Sequence, residues 1–279
     1  MSQPASILVA GASSGIGAAL ARALAARGEA LVLSARRLDR LEALAQQLQR
    51  DHGVAVQALP CDLAQAGAAQ QLRQELRRRD LTLKGLVNSA GFGLRGSVDT
   101  IDPAALETFL RVTLQAPVEL TTAFLPEVSR HPDGLILQVA SLAGLVPGLA
   151  GSAVYSASKA FVIRFSQSLA AEQGADGVRV MVLCPGYVRS EFHAALGVQD
   201  QMNQLPGWCW MEADDLARRA LRALDGQSVV VVPGLWNQSI ALLARLLPEA
   251  QSRTLGRRFS RRYRQPAPEP PGPVGKDHP

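Results

Sequence analysis

Tyr155 and Lys159 stand four residues apart in Tyr155-Ser156-Ala157-Ser158-Lys159. On a helix that spacing puts both side chains on one face, about 6 Å apart along the axis. A tyrosine hydroxyl ordinarily titrates at about 10, and an ammonium beside it, together with a cofactor ring that is cationic when oxidised, favours the phenolate and pulls that value down. Such a tyrosine can exchange a proton with a carbonyl or alcohol oxygen close to neutral pH. Ser141 closes an apolar run fourteen residues earlier, and its hydroxyl can aim at the same oxygen and share its developing charge. A Tyr-x-x-x-Lys pair alone specifies little, because the same spacing is common on solvated helix faces. Composition sharpens it. The chain has three lysines against twenty-six arginines, and one of the three occupies the place where a compact ammonium serves better than a guanidinium.

A second cluster lies near the N-terminus. The run Ser6–Ala10 leads into Gly11-Ala12-Ser13-Ser14-Gly15-Ile16-Gly17 and then a helical pattern. Glycines there let a pyrophosphate approach the backbone, and the helix end offers free N–H donors and a positive dipole. Gly11, Ser13, Ser14, Gly15, Ile16 and Gly17 are therefore candidate cofactor contacts. An acid at the end of the second strand would hold the ribose hydroxyls of NAD, whereas a base accommodates the 2′-phosphate of NADP. The chain reads Ser34-Ala35-Arg36-Arg37, with no acid. Arg36 is the candidate phosphate contact and NADP is favoured over NAD, while Arg37 reads as decoration on the next helix. Asp62 and Leu63 follow the third run and are placed for the adenine, although Asp62 also suits a helix N-cap. Asn88, Ala90 and Gly91 end the fourth run, where small residues let a cofactor lie on the sheet edge.

The elements that must position these groups follow from the hydrophobic pattern. Strand candidates are Ser6–Ala10, Ala30–Ser34, Val54–Leu59, Gly85–Asn88, Leu135–Ala140, Val178–Leu183 and Ser228–Val232. Many are apolar without alternation, as parallel strands buried on both faces are. Between them lie helix-period segments such as Ala18–Arg27, Arg37–Arg50 and Gln65–Arg79. The alternation predicts an α/β, doubly wound sheet of seven parallel strands with helices on both faces. Residues 1–234 form one catalytic domain, 235–265 a helical and basic extension, and 266–279 a proline-rich tail expected to be disordered.

Composition excludes several classes. The chain is 47% hydrophobic and 19% charged, which suits a buried core rather than disorder. Its apolar runs are too short to span a bilayer and the N-terminus lacks a signal-peptide pattern, so a cytoplasmic location is expected. Three scattered cysteines, Cys61, Cys184 and Cys209, fit neither a disulfide framework nor a metal cluster. The net charge of +5 belongs to residues 251–265, which hold six arginines and no acid, so the main domain is neutral. No nucleic-acid partner is expected.

AGASSGIG at 10–17, NSAG at 88–91, Ser141, YSASK at 155–159 and Pro185-Gly186 occur in one order with spacing that resembles the short-chain dehydrogenase/reductase family over roughly residues 5–233. The resemblance implies a Rossmann-type fold of strand order 3-2-1-4-5-6-7 and hydride transfer between NAD(P)H and a carbonyl or alcohol. It implies Tyr155 as general acid/base, Lys159 as the group that tunes it and holds the nicotinamide ribose, and Ser141 as the substrate-orienting hydroxyl. Pro185, Gly186 and Val188 would lie beside the nicotinamide. Ser190 stands where the family often has Thr, and Ala10 where it usually has Thr. Thr113 occupies the position of an Asn that helps hold a water linking the lysine to solvent; its backbone carbonyl is retained, which leaves Thr113 a catalytic candidate.

Residues 190–211 are expected to form a substrate lid, with Phe192, Leu196, Met202, Leu205, Trp208, Trp210 and Met211 facing an apolar substrate or packing on the lid's own base or on a partner subunit. His193 reads as a surface residue. The helix near 236–247 and the arginines after it fit a packed extension or an oligomer contact in a homodimer or homotetramer, ahead of contact with an anionic membrane. Two other functions compete with the oxidoreductase: a nucleotide-binding regulator or scaffold without turnover, and a sugar-nucleotide epimerase or dehydratase. Retention of Ser141, Tyr155 and Lys159 weighs against the first; the glycine spacing and compact length weigh against the second.

Overall fold

A computed structural model describes residues 4–94, 96–148, 151–175, 177–192 and 205–246. The basic segment after 250, the proline-rich tail, His193, Leu196 and Met202 lie outside the described residues.

Seven parallel strands form one sheet: β1 (Ser6–Ala10), β2 (Leu31–Ala35), β3 (Val56–Pro60), β4 (Leu83–Asn88), β5 (Leu135–Val139), β6 (Arg179–Leu183) and β9 (Val230–Val231). Their order is β3-β2-β1-β4-β5-β6-β9. This is the order that the family resemblance implied, with the seventh sheet strand numbered β9 because two short strands precede it. Those two, β7 (Tyr187–Arg189) and β8 (Trp210–Glu212), pair with each other in a separate ribbon. The hydrophobic pattern did not reveal them, since three residues are too few to show a period. The last sheet strand has only two residues, shorter than the apolar run around it.

Side chains of β1 alternate between two cores, as a strand period of two requires. Ile7 and Val9 pack with α1 (Gly15–Ala25), α2 (Leu38–His52) and the later helix α7 (Ala213–Leu224) on one face. Leu8 and Ala10 pack with α3 (Ala68–Arg78), α5 (Ala116–Val128) and part of α6 (Ala153–Gln173) on the other. All five β1 residues are buried, which explains the unbroken apolar run.

The helix preceding α5 is not regular. Its first part, α4 (Pro103–Leu110), is capped by Asp102, whose carboxylate accepts from the Ala105 N–H. A π-helical turn, Arg111–Gln115, then joins α4 to α5 and carries Thr113. The chain's last described helix, α8 (Leu235–Leu246), begins after Gly234 and lays Asn237 against Gly186.

Candidate active site

The candidate residues gather at the C-terminal ends of the parallel strands, where a doubly wound sheet opens a crevice. Gly11 follows β1 with a φ of +84°, a left-handed conformation that favours glycine. A Cβ there would lie 2.6 Å from the Ala90 backbone nitrogen, so the β1 and β4 ends could not close together. Gly15, Ile16 and Gly17 open α1, and its N-cap Ser14 makes no side-chain capping bond. The first-turn N–H groups keep their donor capacity for an anion. Ala90 and Gly91 sit directly across from this loop.

At the reacting end, β5 finishes at Val139 and the chain turns through Ser141 into a short 3₁₀ turn, Leu142–Gly144. Ser141 Oγ accepts from the Ala143 N–H at 3.1 Å, and the Leu142 N–H donates to the Pro185 carbonyl at 2.8 Å. The first bond closes the turn on itself, and the second fixes it against the loop between β6 and β7 that carries Pro185-Gly186. Gly144 lets the turn lie on α6: a Cβ there would be 2.6 Å from the Lys159 carbonyl carbon and 2.7 Å from the Ala160 nitrogen. The turn therefore brings Ser141 close enough to Tyr155 to oppose the rise that burial causes in the phenol's pKa.

Lys159 is buried, at 7% exposure, and its Nζ donates to the Val139 carbonyl at 3.2 Å. Burial pulls its pKa from 10.5 to about 8, with the nearby Cys184 opposing the shift. The ammonium lies 5.8 Å from the centre of the Tyr155 ring. Tyr155 itself is held above its ordinary value, because burial outweighs the bond from Ser141. The expected lowering invokes the ammonium together with an oxidised nicotinamide; the side chains alone leave the phenol above its ordinary value, with Lys159 Nζ bonded to the Val139 carbonyl.

Thr113 and Lys159 flank Gly91: a Cβ at Gly91 would lie 3.7 Å from Lys159 Nζ and 3.9 Å from the Thr113 methyl. The Thr113 hydroxyl donates back to the Phe109 carbonyl at 2.7 Å, so it is committed to its own helix. Its carbonyl is the part with relay capacity. In a regular helix that carbonyl would accept from residue 117, which is Pro117 and has no N–H. The π turn and Pro117 together disrupt the normal helix ladder beside Lys159.

The other candidates divide. Asp62 Oδ1 accepts from the Ala64 N–H at 3.0 Å, closing a turn that runs to Gln65; α3 is instead preceded by Gly67. Leu63 is half-buried in the same turn. The Asn88 side chain points away from the crevice, its Nδ2 lying 3.4 Å from both the Pro117 carbonyl and Thr121 Oγ1. Val188 is buried in β7 and its side chain packs in the main core. Phe192 packs 5.9 Å from Tyr155, whereas Met211 packs on the main core and Trp210 lies against Tyr187 and under Arg189.

Arg36 is exposed after β2. Arg37, read from sequence as decoration, reaches the glycine loop: its Nη2 donates to Ser13 Oγ at 3.1 Å and Ser14 Oγ at 3.0 Å. The acid that the β2 end lacks is supplied from far along the chain. Glu191 accepts from Arg37 Nη1 at 3.2 Å and from Arg40 Nη1 at 2.6 Å. The bonds from Arg40 and then Arg37 hold its carboxyl below the usual range. Sequence reasoning also missed Phe92 and Phe109. The Phe109 ring lies 6.5 Å from Tyr155 and 5.6 Å from Phe92, so aromatics surround the phenol on several sides. Phe109 was visible as the residue four before Thr113; nothing in the sequence links Glu191 to Arg37.

A family model described as short chain dehydrogenase matches residues 5–201. The chain is 32% identical over 230 residues to the 3-oxoacyl-[acyl-carrier-protein] reductase of Bos taurus, covering 81% of this chain and 95% of that protein. It is 38% identical over 191 residues to a sulfoacetaldehyde reductase of Chromohalobacter salexigens, covering 67% and 73%. Among solved structures, a short-chain dehydrogenase from Sphingobium yanoikuyae in complex with NADPH superposes with a TM-score of 0.75 at 32% identity, over 89% of this chain and 98% of that one. A bulky-bulky ketone specific alcohol dehydrogenase from Comamonas testosteroni gives 0.71 at 29%, over 89% and 96%.

Proposed function

The chain belongs to the short-chain dehydrogenase/reductase family of oxidoreductases, and from that premise we propose that it transfers hydride between NADP(H) and an apolar ketone or secondary alcohol, with Tyr155 as the acid/base. The observation that carries this is the grouping of Ser141, Tyr155 and Lys159 across the crevice from a glycine loop with an uncapped helix end. A non-catalytic regulator is disfavoured by the same grouping, and an epimerase by the family match.

The residues fit a dinucleotide. Gly11 lets the β1 and β4 ends close together beneath the loop, the α1 N-terminus supplies donors for a pyrophosphate, and Arg36, Arg37 and Arg40 outweigh the single Glu191 carboxylate at the adenosine end. When bound, the nicotinamide ring supplies or accepts hydride. In reduction Tyr155 Oη gives its proton to the nascent alkoxide, and Ser141 donates to the same oxygen. The Lys159 ammonium, 5.8 Å from the centre of the Tyr155 ring, supplies positive charge beside the phenolate that this step leaves.

The named relatives differ in substrate, from a small sulfonated aldehyde to bulky ketones, so specificity rests on this chain's own side chains. Phe92, Phe109 and Phe192 around Tyr155 support an apolar substrate. The exposed row Leu235, Leu242 and Leu246 on α8 supports self-association. Three free thiols fit a reducing cytoplasm, and among the described residues no helix is long and apolar enough to cross a membrane.

A panel of ketones and alcohols with NADPH and NADH, run beside Tyr155→Phe, tests the reading. The variant is expected to lose about 10²–10⁴-fold in kcat while still binding NADPH by fluorescence. Full activity in the variant defeats the mechanism, activity confined to small charged carbonyls defeats the apolar pocket, and an NADH preference defeats the arginine assignment.

A further inference from the structure

Glu191 stands where the arginines would otherwise face an incoming anion. Its two carboxylate oxygens are divided between Arg40 Nη1 and Arg37 Nη1, and the second nitrogen of the Arg37 fork holds both glycine-loop serines. Ser190, the residue before it, packs 3.3 Å from where a Cβ of Gly15 would be. A carboxylate bridging two guanidiniums at the mouth of a phosphate loop has the charge and the bidentate pattern of a phosphate group.

We propose that Glu191 is a specificity-determining residue that occupies the 2′-phosphate position as an internal competitor, so that this chain's affinity for phosphorylated adenosine is set by displacement of Glu191 from Arg37 and Arg40. The proposal rests on the NADP reading above. All three side chains are partly solvated, between 40% and 55% exposed, so exchange of one anion for another needs no opening of the core. Without displacement the carboxylate and the phosphate would lie side by side on the same two cations. Like charges at that distance repel, and the arginines' donors would be shared. An unphosphorylated ribose brings no such charge and leaves Glu191 in place on the two arginines. The same residue therefore tempers NADP binding and permits NAD.

The experiment uses the full chain and Glu191→Gln, with adenosine 2′,5′-bisphosphate and adenosine 5′-monophosphate as probes in titration calorimetry. The substitution keeps the side chain's size and removes its charge at an exposed position, so folding is retained. The expected result is bisphosphate binding tightened by about three- to ten-fold, the scale of two partly exposed ion pairs, with monophosphate binding unchanged. Bisphosphate affinity that is unchanged or weaker in the variant overturns the proposal, because Glu191 then merely holds the arginines in position. The underlying NADP reading fails separately: the wild-type chain would bind the monophosphate as well as the bisphosphate, and Arg37→Gln would alter neither. A variant that gains bisphosphate affinity over such a wild type still establishes Glu191 as the competitor.

Discussion

Lys159 shows what a single residue costs the fold in exchange for chemistry. Burial lowers its pKa to about 8 from 10.5, so the unfolded chain holds that proton more tightly than the folded one. At neutral pH both states are protonated and the folded state carries the full penalty, about 3 kcal/mol. Lys159→Met removes the charge and gives up the bond to Val139 and the ammonium's approach to the Tyr155 ring. The variant is expected to be inactive yet more stable at pH 7 by about 2 kcal/mol in urea unfolding. The difference should shrink as pH rises from 8 toward 10.5, where the wild-type lysine deprotonates on folding and stability rises with pH. A variant less stable than wild type at pH 7 would show that Lys159 is a net structural contributor. The scarcity of lysine made this position legible in the sequence. Of the two described lysines, Lys84 is spent on ion pairs with Glu29 and Asp133, away from the site. The direction of the Tyr155 shift was not legible, because it depends on burial by Phe109 and Phe192 and on where the ammonium points, both tertiary facts.

At the scale of elements, the site depends on how closely the turn after β5 lies on α6. Gly144 has no slack: the atoms nearest its missing Cβ are backbone atoms of residues 159 and 160 and the Ile163 Cδ1. Gly144→Ala is expected to cost about 1–3 kcal/mol and to lower kcat more than it raises KM for the cofactor, since the turn would carry Ser141 off Tyr155. Gly148→Ala, four residues on with nothing near its Cβ, should leave stability within about 0.5 kcal/mol and activity intact. Equal losses in both variants would reject the packing account. The long elements were readable from their period: the apolar runs correspond to β1 through β6, and the boundaries differ by one to two residues at most ends. The π turn, by contrast, has no periodic signature; Pro117 and the unusual Thr113 were its only traces. The ribbon of β7 and β8 was hidden for the same reason, although it orders Tyr187, Arg189 and Trp210 below the crevice.

For the molecule as a whole, the open question of contact surface falls on α8. Leu235, Leu242 and Leu246 are 82%, 59% and 69% exposed, with Trp236 and Leu243 beside them, an apolar row too large for solvent to favour. Leu242→Glu with Leu246→Glu is expected to convert an oligomer to a smaller species in sedimentation velocity; a monomeric wild type would reject self-association through this face. The sequence marked the apolar spacing of this helix but not that it seats Asn237 on Gly186, which ties the extension to the crevice. The sheet order has a further consequence, kinetic rather than static. Neighbouring strands are joined across the sheet by long connections, and the groups that meet at the crevice come from positions as far apart as Gly11 and Glu191. Non-local pairings of this kind make the search for the native arrangement slow. The first ninety-one residues carry the glycine loop but none of Ser141, Tyr155 and Lys159, so helices can form and early collapse can finish while the chain is still chemically silent.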